Sequence, residues 1–274
     1  MAKAIKHIRA GMLNIEIIGA VPERRAGSNG RAARSNPTSA AQQFYNHKLS
    51  WRELELTIAS NFASKDYFLT FTYDNDHLPE SKDAAVVLFK KFLRNLRDTR
   101  RKRGEELRYL YVTEGFHGIC TDEYLGQDGH LEDKRLHHHV IINSVGPCDL
   151  EEYRSLWAFG GYMRAEPVDV HYYQELARYM TKEAREFGRA KPGERTWRGS
   201  RNLNKYEVEY IEIPTDSVTL SPPPDAVDYH QFAEKNPYGY ADCIGARYLI
   251  YAAKPIAKYS YIKHQRAFAP PNNF

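Results

Sequence analysis

Apolar and polar residues change their spacing several times along this chain, and each change predicts an element. Phe68 to Tyr73 (FLTFTY) has the aromatic and β-branched density of a strand, and the DNDHLP that follows is turn-like. From Asp83 to Arg103 the period lengthens: Val86, Phe89, Phe92, Leu93 and Leu96 recur at helical spacing, with the basic residues largely on the other side. Leu107 to Glu114 (LRYLYVTE) and Leu136 to Asn143 (LHHHVIIN) read as two further strands, joined by a hairpin-like connection containing Gly118, Gly126 and Gly129. A helix from Leu150 to Trp157, a short strand near Val168 and a helix from about Tyr172 to Phe187 follow. GERTWRGSRNLN is then a loop, and KYEVEYIEI alternates as a strand. The order β-α-β-β-α-β predicts an α+β fold, a ferredoxin-like antiparallel sheet with helices packed on one face.

The flanks have other patterns. A strand-like start passes through the Gly/Ser/Arg/Asn/Pro-rich RRAGSNGRAARSNPTSAAQQ into a helical stretch from about Ala40 to Phe62. Residues 1–55 are therefore expected to be an N-terminal extension, 56–213 the main domain, and 214–274 an acidic, Pro-containing linker around Pro222 to Pro224 with a Tyr-rich C-terminal tail. No internal repeat is visible. At 274 residues the chain is long enough for one substantial core with appendages. No apolar run reaches the roughly 18 residues of a membrane span, and MLNIEIIGA is short and interrupted by Glu16, so a cytoplasmic location is expected. Cys120, Cys148 and Cys243 are odd in number and lack C-x-x-C spacing, which argues against a disulfide framework or a cysteine zinc site.

The net charge of +4 conceals an uneven distribution. Lys90 to Arg103 carries eight Lys or Arg against the single Asp98, and a second basic cluster runs from Arg185 to Lys205, whereas Glu207 to Glu234 holds seven acids and no Lys or Arg. Two basic clusters expected to flank one site favour a phosphate backbone over two solvated faces. Lys90, Lys91, Arg94, Arg97, Arg101, Arg198 and Arg201 are the candidate nucleic-acid contacts.

In a strand, residues two apart point the same way, so His137 and His139 should lie roughly 7 Å apart along one face while His138 points to the other. Val140, Ile141 and Ile142 continue the strand on both faces and mark it as central. Two buried imidazoles there need a metal or hydrogen-bond partners. Glu114 ends the preceding strand, and antiparallel pairing would bring its carboxylate to the pair. This makes a two-histidine, one-carboxylate set that suits Mg²⁺ or Mn²⁺, although the ligand types alone leave zinc open.

RYMTKEAR places Tyr179 and Lys182 three residues apart, on one face of a helix. A phenol of pKa near 10 is a poor nucleophile at neutral pH. A metal-polarised phosphate and an adjacent ammonium would favour its attack. Among Tyr162, Tyr172, Tyr173 and Tyr179, only Tyr179 has a lysine one turn later. Tyr172, seven residues earlier, shares its face and is the competitor.

Taken in order, FLTFTYDNDHLP, YVTEG, RLHHHVIIN and ARYMTKE resemble the motifs of HUH-superfamily rolling-circle replication initiators, closest to the replication-associated proteins of filamentous phages, microviruses and Firmicute mobile elements. NFASKDYFLTFTY and SRNL at Ser200 to Leu203 extend the likeness over roughly residues 40–213. His138 stands in the slot that the family fills with a hydrophobic residue. Glu183 stands where the microvirus branch has a second tyrosine, which implies a single-tyrosine enzyme. The resemblance implies a DNA nickase that forms a 5′-phosphotyrosine and frees a 3′-hydroxyl at a replication origin. In that role Tyr179 is the nucleophile, Lys182 its helper, and His137, His139 and Glu114 hold the ion. Single-stranded origin DNA is the implied substrate, with a host helicase and polymerase as partners, since no Walker-type phosphate loop is present. Relaxases and transposases share this chemistry. A non-catalytic nucleic-acid-binding module on the same fold is the rival reading, separated from it by a metal requirement for nicking.

Overall fold

The computed structural model describes residues 3–20, 40–115, 136–182, 195–213, 228–232 and 245–250. Strands β1 (Lys3–Ala10) and β2 (Leu13–Ala20) precede helix α1 (Ala40–Asn61). Next come β3 (Tyr67–Thr72), α2 (Lys82–Lys102), β4 (Tyr109–Glu114), β5 (His137–Ile142), α3 (Asp149–Leu156), β6 (Met163–Pro167) and α4 (Tyr173–Met180). The described chain continues with β7 (Arg198–Gly199), β8 (Glu207–Ile213), β9 (Asp228–Phe232) and β10 (Gly245–Ile250). These strands form two sheets, ordered β6-β3-β5-β4-β7 and β8-β1-β2-β10-β9, with antiparallel neighbours throughout.

The first sheet holds the ferredoxin-like unit. Its β-α-β-β-α-β run is β3-α2-β4-β5-α3-β6, and each of the two crossovers leaves room for an antiparallel strand between the strands it joins. The sequence pattern predicts the right order with a wrong last member. KYEVEYIEI, expected to close this sheet, is β8 and pairs with β1 in the other sheet, while the short β6 takes its place beside β3. A five-residue strand rich in polar residues has little periodic signal to recognise. Residues 3–20 and 245–250, read from sequence as extension and tail, are also strands of the second sheet.

Period-2 alternation divides the central sheet into two packed faces. Leu69, Phe71, Tyr73, Tyr111, Val140 and Ile142 pack with Phe89, Phe92, Leu93 and Leu96 of α2 and with Tyr153 and Trp157 beside α3. Phe68, Leu110, Val112 and Ile141 face the other way, into a cluster with Leu54 and Ile58 of α1, Tyr173, Leu176 and Met180 of α4, and Ile8, Leu13 and Ile15 of the second sheet. The two helices of the ferredoxin-like unit thus share a face, as expected, and α1 and α4 cover part of the opposite one.

Helix α2 begins where Ser81 caps the backbone N–H of Ala84 at 3.2 Å and Asp83 sits in the first turn. It stops where Gly104 adopts φ 74, a left-handed conformation that favours glycine just past a helix end. Buried Arg100 ties α2 to its neighbours: its Nη1 donates to the Asn143 carbonyl at 2.9 Å, and its Nη2 to the Tyr153 hydroxyl at 2.7 Å and to Asp149 Oδ1 at 3.3 Å. Asp66 plays a similar role before β3, accepting from the backbone N–H of Ala63 at 2.7 Å and of Ser144 at 2.8 Å. These contacts fix the depth of the strands that carry the histidines.

Gly118, Gly126, Gly129, Cys120, Cys243, Glu183, Phe187 and Pro222 to Pro224 lie outside the described residues, as does much of the second basic cluster.

Candidate metal centre

Strand register assembles the three expected ligands. Glu114 is the cross-strand partner of His137, and His139 follows two residues on, so all three project from one face. His137 Nε2 and His139 Nε2 each lie 3.7 Å from Glu114 Oε2, beyond hydrogen-bond range. The three candidate ligand atoms fall within 4.8 Å of one another. Such spacings suit donors that share one ion at roughly 2.0–2.2 Å each.

Burial sharpens the case. Glu114 and His139 are buried, and neither Glu114 Oε1 nor His139 Nε2 has a hydrogen-bond partner among the described residues. Leaving a carboxylate oxygen and an imidazole nitrogen dry and unbonded is costly, and a divalent cation would satisfy both. The side chain of His137 is the most open of the three, at 20% exposed. A ligand would therefore enter from its side.

The other nitrogen of His139, Nδ1, lies 3.0 Å from Thr70 Oγ1. In the tautomer where Nδ1–H donates to Thr70, the lone pair of Nε2 is turned toward Glu114. Phe68 stacks on the same ring at a centroid distance of 5.5 Å. Burial, with help from the neighbouring charges of His137 and Lys182, holds the His139 imidazole well below its usual pKa, in the neutral state a metal needs.

His138 has a different task. It points into the α2 core, where its Nε2 lies 2.6 Å from the Tyr73 hydroxyl, its Nδ1 lies 2.9 Å from the Thr113 hydroxyl, and its ring stacks on Phe89 at 4.2 Å. Both ring nitrogens are satisfied there. Burial again keeps the ring neutral.

Over the ligand face lies α4. The Tyr179 ring centroid is 5.0 Å from that of His139, and Lys182 Nζ sits 4.1 Å from the Tyr179 centroid, a cation–π contact. Burial is the chief cause pushing the phenol pKa upward, with the negative charge of Glu114 adding to it and Arg164 opposing it. Tyr173 is excluded as a free phenol because it is buried and donates to the Phe62 carbonyl at 2.7 Å. Tyr162 is exposed just before β6, and Tyr172 is the N-cap residue of α4.

The sequence pattern did not point to Thr70, Arg164 or Glu166. Arg164 and Glu166 form an ion pair on β6, and Arg164 stands in register with Thr70. The alternation in FLTFT already placed Phe68, Thr70 and Thr72 on one side. What was missing was the pairing of β3 with β5 and β6.

The basic residues do not flank this centre as expected. Lys90, Lys91, Arg94, Arg97 and Arg101 lie on α2, which packs on the face of the sheet opposite to Glu114, His137 and His139. Helical periodicity showed which side of α2 is wet but carried no information on which side of the sheet α2 lies. Arg198 sits on β7 opposite Tyr111, whose phenol it bonds, and Arg201 follows in the next loop.

Residues 66–185 match the family model of the replication-associated protein ORF2. No curated protein and no solved structure matches the chain. The matched stretch contains β3 through α4, and with it Glu114, His137, His139, Tyr179 and Lys182. The match supports a part in replication initiation. No described helix is long and apolar enough to cross a membrane.

Proposed function

We propose that this chain is a rolling-circle replication initiator, a site-specific single-strand DNA endonuclease and strand-joining enzyme that acts through a 5′-phosphotyrosine. The observation that carries the reading is the seating of the Tyr179 ring 5.0 Å from that of His139, within a donor set of Glu114, His137 and His139 spanning 4.8 Å. The family match over the same residues supports it.

Glu114, His137 and His139 would hold a divalent ion, Mg²⁺ or Mn²⁺, which when bound supplies positive charge to polarise the scissile phosphate. Tyr179 Oη attacks phosphorus. A tyrosyl O–P bond forms as the bond to the 3′ oxygen breaks. The phenol loses a proton and the departing 3′ oxygen gains one, so protons balance, and the free 3′-hydroxyl can prime synthesis. Joining is the same exchange run backward. Lys182 lies close enough to the phenol to stabilise the charge that develops on its oxygen or on the phosphate. Thr70 keeps His139 in the ligating tautomer. Lys90, Lys91, Arg94 and Arg198 are proposed to meet flanking DNA rather than the phosphate under attack.

The test uses single-stranded DNA of randomised sequence with Mn²⁺ or with EDTA. Cleavage should require the ion, and Glu114→Gln and His137→Ala should each abolish it while DNA binding persists. Equal cleavage in EDTA would overturn the proposal.

A further inference from the structure

Away from the metal centre, between the C-terminal half of α2 and the β7 edge, lies an open cleft of about 660 Å³. Arg97 and Arg101 line it from α2, and Ser200, Arg201 and Asn202 from the loop after β7, with Tyr109 beside them. Arg97 and Arg201 form no ion pair among the described residues, and Arg101 has only an exposed pair with Asp98 at 3.4 Å. Two acids also line the cleft, but each is engaged: Glu105 pairs with Arg103 at 2.6 Å, and Glu106 pairs with Arg108 at 3.4 Å and accepts from Asn202 at 2.9 Å. The cleft thus keeps an uncompensated positive lining.

The macrodipole of α2 favours cations in its last turn, which is reason enough for Arg101. It does not reach Arg97, a turn earlier, or Arg201, on another element. Convergence of guanidinium groups from two elements beside an aromatic ring is the arrangement that holds a single strand, the cations taking phosphates and the ring a base. Tyr109 begins β4 and Glu114 ends it, so the cleft lies at least roughly 17 Å from the ligand set at about 3.4 Å per residue. It also lies round the β7 edge, on the other face of the sheet.

We propose that this cleft is a second anchoring site for single-stranded DNA, with Arg97, Arg101 and Arg201 on the backbone and Tyr109 under a base. It would fix the strand several nucleotides from the phosphate that is cut. The proposal rests on the nucleic-acid reading above and adds to it a separate point of contact that sets where along the strand the nick falls.

Binding of a labelled thirty-nucleotide oligo-dT to the full chain, measured by fluorescence anisotropy in EDTA over a series of salt concentrations, tests this on uncut DNA. The result therefore stands whether or not Tyr179 attacks. Arg97→Ala and Arg201→Ala should each weaken binding and lower the salt slope by about 0.7, the value for one single-strand phosphate contact. Arg154→Ala, which removes an exposed cation on α3 outside the cleft, should leave the slope unchanged. Tyr109→Leu should weaken binding with the slope intact, since it removes stacking and no charge. Slopes in Arg97→Ala and Arg201→Ala equal to that of Arg154→Ala would overturn the proposal, as would losses seen only with a duplex of the same length.

Discussion

Three successive histidines divide their work by the direction in which each ring points. His139 is oriented by the Thr70 hydroxyl, and orienting partners of this kind typically tune metal affinity roughly 10–100-fold. Thr70→Val should accordingly weaken Mn²⁺ binding within that range by calorimetric titration, with little change in fold; unchanged affinity would mean that Thr70 does not position the ligand. His138→Ala should keep metal binding but lose stability, because it opens a cavity and leaves the Tyr73 and Thr113 hydroxyls without their ring partner. Urea unfolding should register a loss of roughly 3 kcal/mol or more. Both buried rings have pKa values held well below normal. Between that depressed value and the ordinary one the unfolded chain binds more protons than the folded one, so stability rises with pH across the window. The metal-free protein should therefore weaken as pH falls below about 6.5, by up to roughly 1.4 kcal/mol per pH unit for each ring. Unfolding midpoints in EDTA at about pH 7.5 and about pH 5.5 measure this, and equal midpoints would contradict it.

At the scale of elements, α2 shows how one basic run can serve two purposes. Arg100, counted among its eight cations, turns inward to hold Asn143, Asp149 and Tyr153, so Arg100→Ala should destabilise by about 3–5 kcal/mol through the charge it strands on Asp149. A thermal-shift series beside Arg97→Ala, which should unfold like the unmodified chain, separates the two roles. Sequence alone showed that α2 is an amphipathic helix, that Glu114 pairs across from the histidine strand, and that His138 faces away from both of its neighbours. Each follows from a local period of 3.6 or 2. It did not show that β8 joins β1 or that α2 lies behind the metal centre. Those depend on pairings between distant segments, and the short polar β6 carried no alternation strong enough to displace KYEVEYIEI from the expected order.

For the whole molecule, the central sheet separates chemistry from anchoring: ligands and tyrosine on one face, the α2 cations on the other, with the β7 edge between. A strand held at both would cross the width of the sheet, which is how a nick could be placed at a set distance from a held sequence. Everything else proposed for the chain depends on Tyr179 being the attacking group at the Glu114, His137 and His139 centre. The most direct test is to incubate the chain with randomised single-stranded DNA and Mn²⁺, digest the trapped covalent adduct, and identify the modified peptide by mass spectrometry. A phosphonucleotide on Tyr179, absent from Tyr179→Phe protein that still binds DNA and metal, is the predicted result. A phosphonucleotide on Tyr172 or Tyr162, or an adduct that persists in Tyr179→Phe, would contradict it.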